Sequence, residues 1–516
     1  MVGVVIMPEE LLAKLKKNIL PQWKSCFLAA IIIGLIAHAY KITNWLPNWD
    51  SLVFRYDEQN MLSLGRWFLP VASAPSSFYD LPWLAGFISI LLHALGAVVI
   101  CRIFNVKKNL TAILIGGAVA SFPTVTSVLL YNYVADAYAL SFLFACLSAF
   151  LLTKEKPKYI AATILLALSV GIYQAYVTVT VMLLLCFLVL EALKKEVTAK
   201  ELLIKCGKFL LTGIAGMAVY YLVLTVALKL TGTELLDYQG LSDATSLAGL
   251  DILGSLYVIK ESFVNYFFDF SAGISLFNVL NLLFLSATVV LYLLEIIKNK
   301  LPLGKILLVL LFALLLPFGA SILAFINSSI DYHNLMKMGF FVFYLFFILL
   351  FEKFEAGKNK ASLIKPWLVL ILTSLLIFNQ IVIANVSYHK INIAYEKSYG
   401  VLIRIADRIE QTEGSENCSK LLVVGSLENS EGYSSLVHLD MTGTTDGFIL
   451  RADDEIVGQS VLCSALNDYC ETNYTFLAGD EKAEVLSKID ESSLGIWPAK
   501  NSVLVFEDVI IVKLGD

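Results

Sequence analysis

The sequence predicts a polytopic α-helical membrane protein of about eleven transmembrane helices, with a small α+β domain at its C-terminal end. Three observations carry that reading. Of the 516 residues, 58% are hydrophobic and only 16% charged, with a mean hydropathy of +0.76, whereas soluble globular chains run about 25% charged. Apolar stretches of the length that crosses a hydrocarbon core, about 20 residues, recur along the first three quarters of the chain. Charge is also split: residues 387–516 hold 10 Lys and Arg against 22 Asp and Glu, a net of −12, while the preceding 386 hold 28 against 21, a net of +7. No basic patch is interleaved with exposed aromatics, so nucleic acid is not an expected partner.

Taken in order, residues 1–24 read as an amphipathic, Lys-containing lead-in without a secretory cleavage site, and the first apolar span stays as an anchor. Spans follow at about 25–44, 82–101, 109–129, 136–153, 158–174, 177–193, 209–229, 278–297, 304–325, 338–351 and 366–386, making 25–386 the membrane domain. Each must be helical, because backbone groups in lipid need partners within their own segment. The loops after spans 2, 4, 6, 8 and 10 carry the lysines and arginines, among them Arg102, Lys154, Lys194, Lys298 and Lys353. The positive-inside rule makes those loops cytoplasmic. The N-terminus is then inside, and loops 45–81 and 230–277 and the tail 387–516 lie outside a cytoplasmic membrane. Within the second of these loops, Leu250 to Phe270 reads as an interfacial helix.

The tail opens on an amphipathic stretch, Ile391 to Gln411, with Tyr395, Tyr399, Leu402, Ala406 and Ile409 at helical spacing. Strand-like runs follow at Leu421–Gly425, Phe448–Leu450, Ser502–Phe506 and Val509–Lys513. Five cysteines lie in or beside apolar spans as small hydrophobes. Cys418, Cys463 and Cys470 lie in the tail, where an oxidising exterior permits a Cys463–Cys470 bridge, with Cys418 as an alternative partner. No Cys-x-x-Cys or His-x-x-x-His spacing marks a zinc site.

The densest polar constellation is the first outside loop, Trp49-Asp50 through Arg55-Tyr56-Asp57-Glu58-Gln59-Asn60 to Gly65-Arg66-Trp67-Phe68. On a helix, Asp50, Asp57 and, less closely, Asn60 would share a face and Arg55 could pair with Glu58. Desolvated carboxylates suit activation of a hydroxyl, and arginines beside them can hold a phosphate. The competing reading is an amphipathic loop helix with routine surface ion pairs. Asp136, at the edge of span 4, is costly unless used or paired and is a candidate for substrate contact. Tyr173 and Gln174 suit sugar hydroxyls and ring stacking, against an interfacial aromatic belt. His333 and Lys337 could touch phosphate, while His38 and His93 read as satisfied interior residues.

This arrangement resembles the serotype-converting bacterial glucosyltransferase II family. The matching stretches are Asp50 to Asp57, Gly65-Arg66-Trp67-Phe68, Ser76-Ser77-Phe78, Leu81-Pro82-Trp83-Leu84, Tyr131-Asn132 with Ala135-Asp136, Ile172-Tyr173-Gln174-Ala175, His333-Asn334-Leu335-Met336, and the closing Trp497-Pro498 with Val509–Lys513. The resemblance implies a glycosyltransferase of the GT-C class. It would take a polyprenyl-phosphate sugar, typically undecaprenyl-phosphate glucose, and decorate a cell-envelope polysaccharide outside the membrane. Family members often show two adjacent acids in this loop. Here the acids are Asp50 and the later pair Asp57-Glu58, so either Asp50 or Asp57 fits the base.

Chemistry agrees with that implication. A lipid-phosphate sugar is already activated and needs no nucleotide-binding Gly-rich loop, and the sequence has none. Inverting displacement needs one general base, Asp50 or Asp57, and a group that stabilises the departing phosphate, Arg66 or Arg55, with Lys337 as a further donor-side cation. Glu58, Asp136, Tyr173, Gln174 and His333 are the candidates for binding substrate. A divalent cation could assist, though no motif marks a site for one. The alternative function is a transporter or flippase for a lipid-linked envelope component, which eleven spans serve equally well. Against it stand the missing pair of broken helices in corresponding halves and the placement of the polar cluster outside the membrane. A membrane-anchored binding protein is the third reading.

Overall fold

The computed structural model describes residues 7, 9–10, 19–56, 58–236, 251–270, 274–328, 330, 332–353, 360–427 and 455–515. Ten helices among them are long and apolar enough to cross a membrane, and each coincides with a span read from the sequence. The eleventh span, read at 158–174, is a 14-residue helix, Tyr159–Ile172. At 1.5 Å per residue it is about 21 Å long, short of a core of about 30 Å. It gives way to the 3₁₀ piece Gln174–Tyr176, and Tyr173, Gln174 and Ala175 line a cavity, the setting in which irregular backbone is tolerated in a membrane bundle.

The bundle is built from α1 (Pro21–Thr43), α4 (Pro82–Ile103), α5 (Asn109–Ser121), α6 (Pro123–Leu130), α7 (Ala135–Thr153), α8 (Tyr159–Ile172), α9 (Val177–Ala192), α10 (Ala199–Thr231), α12 (Leu276–Asn299), α13 (Leu303–Ala320), α14 (Phe341–Lys353) and α15 (Lys360–Glu410). Helices α5 and α6 form one span broken at Phe122, where Pro123 supplies the first residue of the new helix. Helix α1 packs on α4 and α5, α4 on α7, α7 on α8, and α9 on α13. Small residues draw these helices close. Between α7 and α8, for example, the Ser141 hydroxyl donates to the Ser169 carbonyl at 2.8 Å and the Ser169 hydroxyl returns a bond to the Ser141 carbonyl at 2.9 Å. His38 is satisfied in the interior, its ring nitrogens each 2.8 Å from the Tyr388 hydroxyl and the Ala120 carbonyl. Outward faces such as Leu210, Leu211, Ile214 and Leu222 of α10 stay apolar and exposed, as lipid requires.

Three short or interfacial helices complete this part: α2 (Trp49–Val53), α3 (Leu69–Ser73) and α11 (Ile252–Phe268). Helix α11 occupies the stretch expected to be interfacial, with Tyr266 and Phe267 buried and Lys260 and Glu261 exposed.

The last span and the amphipathic stretch that follows it are one helix. Helix α15 runs 51 residues without interruption, about 76 Å, and carries Leu402, Ile405, Ala406 and Ile409 into the core of a small domain. Among the described residues that domain holds a four-stranded sheet of β1 (Lys420–Val424), β2 (Thr475–Phe476), β3 (Val503–Phe506) and β4 (Val509–Lys513), in the order β2-β1-β4-β3. β1 runs parallel to both β2 and β4, whereas β3 and β4 form an antiparallel hairpin. Helices α16 (Glu455–Tyr469) and α17 (Gly479–Ser487) connect the strands. The expected strand at 448–450 lies outside the described residues.

The tail thiols correct one expectation: Cys463 and Cys470 are free. Cys463 lies on α16 and Cys470 directly follows it, so they stand about two turns apart along one axis, beyond bridging distance. Burial pushes the Cys463 thiol up to about 11. A raised thiol value means less thiolate at a given pH, about one part in a thousand at pH 8. Cys463 is therefore expected to resist maleimide at pH 8 and to gain reactivity only as pH nears 11 or the domain unfolds. Labelling of Cys463 as fast as of a free peptide thiol at pH 8 would contradict this.

Candidate active site

At the end of the bundle that meets the sheet domain, the chain encloses a cavity of about 340 Å³. Short 3₁₀ pieces frame this end: Leu62–Leu64, Asn132–Val134, Gln174–Tyr176, Ile322–Phe325 and Asn334–Phe340.

Asp50 reaches the cavity from the first turn of α2. The buried Asn48 caps that helix, its Oδ1 accepting from the Ser51 N–H at 3.0 Å, and its Nδ2 donates to the Leu130 carbonyl at 3.3 Å. A cap of this kind is worth about 1 kcal/mol, and here it also ties α2 to the end of α6. Phe54, just past the helix, stacks on Tyr133 at 5.2 Å. On its outer side α2 inserts Leu52 into the core of the sheet domain, with Trp45 and Trp49 packed beside it.

Arg66 enters from the turn after Leu62–Leu64, where Gly65 takes a φ of 76° that a side chain would strain. Its Nη1 donates to the Tyr138 hydroxyl at 3.0 Å, and its guanidinium lies 4.9 Å above the Tyr173 ring. Tyr138 and Tyr173 stack face to face, 4.4 Å apart and 4° from parallel. The turn is clamped from behind. Gln174 Nε2 donates to the Leu64 carbonyl at 2.8 Å, the Tyr220 hydroxyl donates to the Gly65 carbonyl at 3.0 Å, and the Phe68 N–H donates to the Gly171 carbonyl at 2.9 Å. Gly171 has no room for a side chain, since a Cβ would sit 2.6 Å from the Trp67 ring. Asp50 and Arg66 thus share one chamber with a tyrosine wall. Its other wall, including Met217, Leu323, Ile326, Ile330 and Leu335, is apolar, with His333 and Asn327 as polar exceptions.

Of the residues singled out in the sequence, the cavity brings together Asp50, Arg66, Tyr173, Gln174 and His333. Four others stand elsewhere, and Asp57 lies outside the described residues. Arg55 does not face the chamber or pair with Glu58. It ion-pairs with Asp468 of α16 at 3.2 Å and lies 4.6 Å over the Trp45 ring. The loop is not a continuous helix: α2 ends at Phe54, and the chain turns so that Tyr56 bridges Tyr79, which leaves Glu58 exposed. Asp136 is buried in the first turn of α7, its Oδ1 accepting from the Ala137 N–H at 2.8 Å, where a carboxylate complements the helix N-terminus. Lys337 sits in the 3₁₀ piece beyond His333, its Nζ 6.0 Å from the Tyr266 ring.

Asp80, missed in the sequence, is the structural acid of this end. Its carboxylate accepts from Trp45 Nε1 at 3.1 Å and from Asn132 Nδ2 at 2.7 Å, joining the first loop to the start of the fourth span. Asp80→Ala strands both donors, at roughly 1–3 kcal/mol each. Thermal unfolding of the purified variant in detergent should show that loss; a wild-type melting point would remove Asp80 from this role. Tyr138 and Tyr220 were also missed, since nothing in their local sequence separates them from interfacial tyrosines.

The family model of Glucosyl transferase GtrII matches residues 39–405, more than half of the chain. The chain belongs to this family. It is a multi-pass membrane glycosyltransferase, working between a sugar donor and a polysaccharide acceptor. Neither a curated protein nor a solved structure matches it. The family match in this glucosyltransferase encloses every residue of the cavity, from Asp50 to Met336. The sheet domain from Lys420 onward lies beyond it, and so do the closing Trp497-Pro498 and Val509–Lys513 stretches.

Proposed function

We propose that this glucosyltransferase moves a hexose, glucose by family, from a polyprenyl-phosphate carrier to a cell-envelope polysaccharide on the outer side of the cytoplasmic membrane, with inversion at the anomeric carbon. The observation that carries the reading is the shared chamber: a carboxylate, Asp50, and an arginine, Arg66, between a tyrosine wall and an apolar wall. An amphiphilic donor fits such a chamber, with the sugar against tyrosines and the lipid along the apolar side. Asp50 takes the proton from the acceptor hydroxyl as its oxygen attacks the anomeric carbon. The bond from that carbon to the phosphate oxygen breaks on the opposite face. The phosphate leaves with the bonding pair, and Arg66 offsets the charge it gains. Tyr138 and Tyr173 hold the guanidinium plane, while Gln174 and Tyr220 hold the turn that carries it. His333 is a further polar contact for substrate.

Reconstitution in vesicles with undecaprenyl-phosphate glucose and envelope glycan should yield sugar transfer to the glycan. Transfer from a nucleotide sugar instead, with the lipid donor inert, would overturn the reading.

The outward orientation rests on the basic loops. Ser487→Cys, on the sheet domain, should label with an impermeant thiol reagent in intact spheroplasts, whereas Lys156→Cys should label only after permeabilisation. The reverse pattern would place the reaction on the other side.

A further inference from the structure

The opposite, basic end of the bundle holds a second and larger cavity, about 710 Å³, formed where α4, α7, α9, α10 and α14 end or begin. We infer that it binds the headgroup of an anionic glycerophospholipid from the leaflet at that end.

Six cations line it: Arg102, Lys154, Lys194, Lys205, Lys208 and Lys353. Three carboxylates line it too, but two are already engaged. Glu191 is bonded by Lys194 and, at 2.9 Å, by Lys205. Glu352 accepts from the backbone N–H groups of Lys107 and Lys108 at 3.3 and 2.9 Å. Arg102 and Lys154 are held by a ring instead: the guanidinium lies 4.3 Å, and the ammonium 4.6 Å, from the centroid of Phe150. Contact with a ring, unlike an ion pair, leaves a cation N–H groups to offer an anion.

Membrane orientation alone does not ask for this geometry. The positive-inside rule needs only basic residues in these loops, and Lys156, Lys158, Lys195 and Lys200 meet it without touching the cavity. Convergence on one concavity points to a ligand with several anionic oxygens. Phe187, Leu190, Phe209 and Leu349 form part of the same wall, which suits a molecule apolar at one end. The volume falls within the roughly 300–1,000 Å³ of small-molecule sites, and basic pockets between membrane helices on this side take phosphate-bearing lipid headgroups.

The test is native mass spectrometry of the full-length protein in detergent, titrated with phosphatidylglycerol, phosphatidylcholine or inorganic phosphate. Phosphatidylglycerol should bind in preference to phosphatidylcholine. Lys154→Gln with Lys208→Gln, both without a salt-bridge partner among the described residues, should weaken it by about fivefold per lysine and about thirtyfold together. Lys156→Gln with Lys158→Gln, outside the cavity, should leave it unchanged. Raising NaCl should erode the preference in wild-type protein, which tests the idea even if the cavity variant folds poorly. The inference fails if the two lipids bind alike, if the outside pair weakens binding as much as the cavity pair, or if inorganic phosphate competes at the concentration of the lipid.

Discussion

Replacing Asp50 by Asn should lower sugar transfer by about 10²–10⁴-fold while donor-lipid binding stays within about threefold of wild type, the size and pattern of a lost general base. The substitution is nearly isosteric. The Asn48 cap, the Phe54–Tyr133 stack and the insertion of Leu52 into the sheet domain keep α2 where it is, so a fall in rate would report chemistry and not unfolding. Single-turnover transfer with preloaded donor, beside a donor-binding isotherm, separates the two quantities. Asp57→Asn is the paired measurement. If it abolishes transfer and Asp50→Asn does not, the base is Asp57. If neither matters in well-folded protein, the first loop does not supply the general base.

The helices were legible because their signal is local. Twenty apolar residues in a row can do little but span, and all eleven stretches fold as helices, ten of them long and apolar enough to cross a membrane. Local reasoning also named five residues that line one cavity, Asp50, Arg66, Tyr173, Gln174 and His333, since residues near span ends on one side of a membrane are confined to a thin layer and tend to meet. It failed where the partner is distant in sequence. Arg55 stands three residues from Glu58, yet its partner is Asp468, 413 positions away. Leu52 looks like the apolar side of a loop helix and is instead part of the core of a domain near the other end of the chain. Asp136 takes one backbone amide at the start of its helix, which satisfies only one oxygen of its carboxylate. Pattern fixes which face is apolar; it does not say what covers that face.

Arg66→Ala should impair both donor binding and turnover, which distinguishes it from Asp50→Asn. A charge-assisted contact to phosphate acts in the ground state and strengthens as the phosphate gains charge on leaving. Donor affinity should fall about tenfold or more, and kcat by a further 10²–10³-fold or so, the usual cost of removing one group that stabilises a departing anion. Arg66→Lys divides charge from shape. It keeps the cation but loses the planar fork that donates to Tyr138 and lies over Tyr173, so it should restore donor affinity more fully than rate. Tyr138→Phe removes only the hydroxyl that accepts from Arg66 and should cost less than either, chiefly in kcat, because the charge remains and its aim is relaxed. The assignment fails if Arg66→Ala leaves both donor affinity and kcat at wild-type values. It also fails if Arg66→Lys loses as much donor affinity as Arg66→Ala, because the arginine would then be holding the tyrosine stack and not the phosphate.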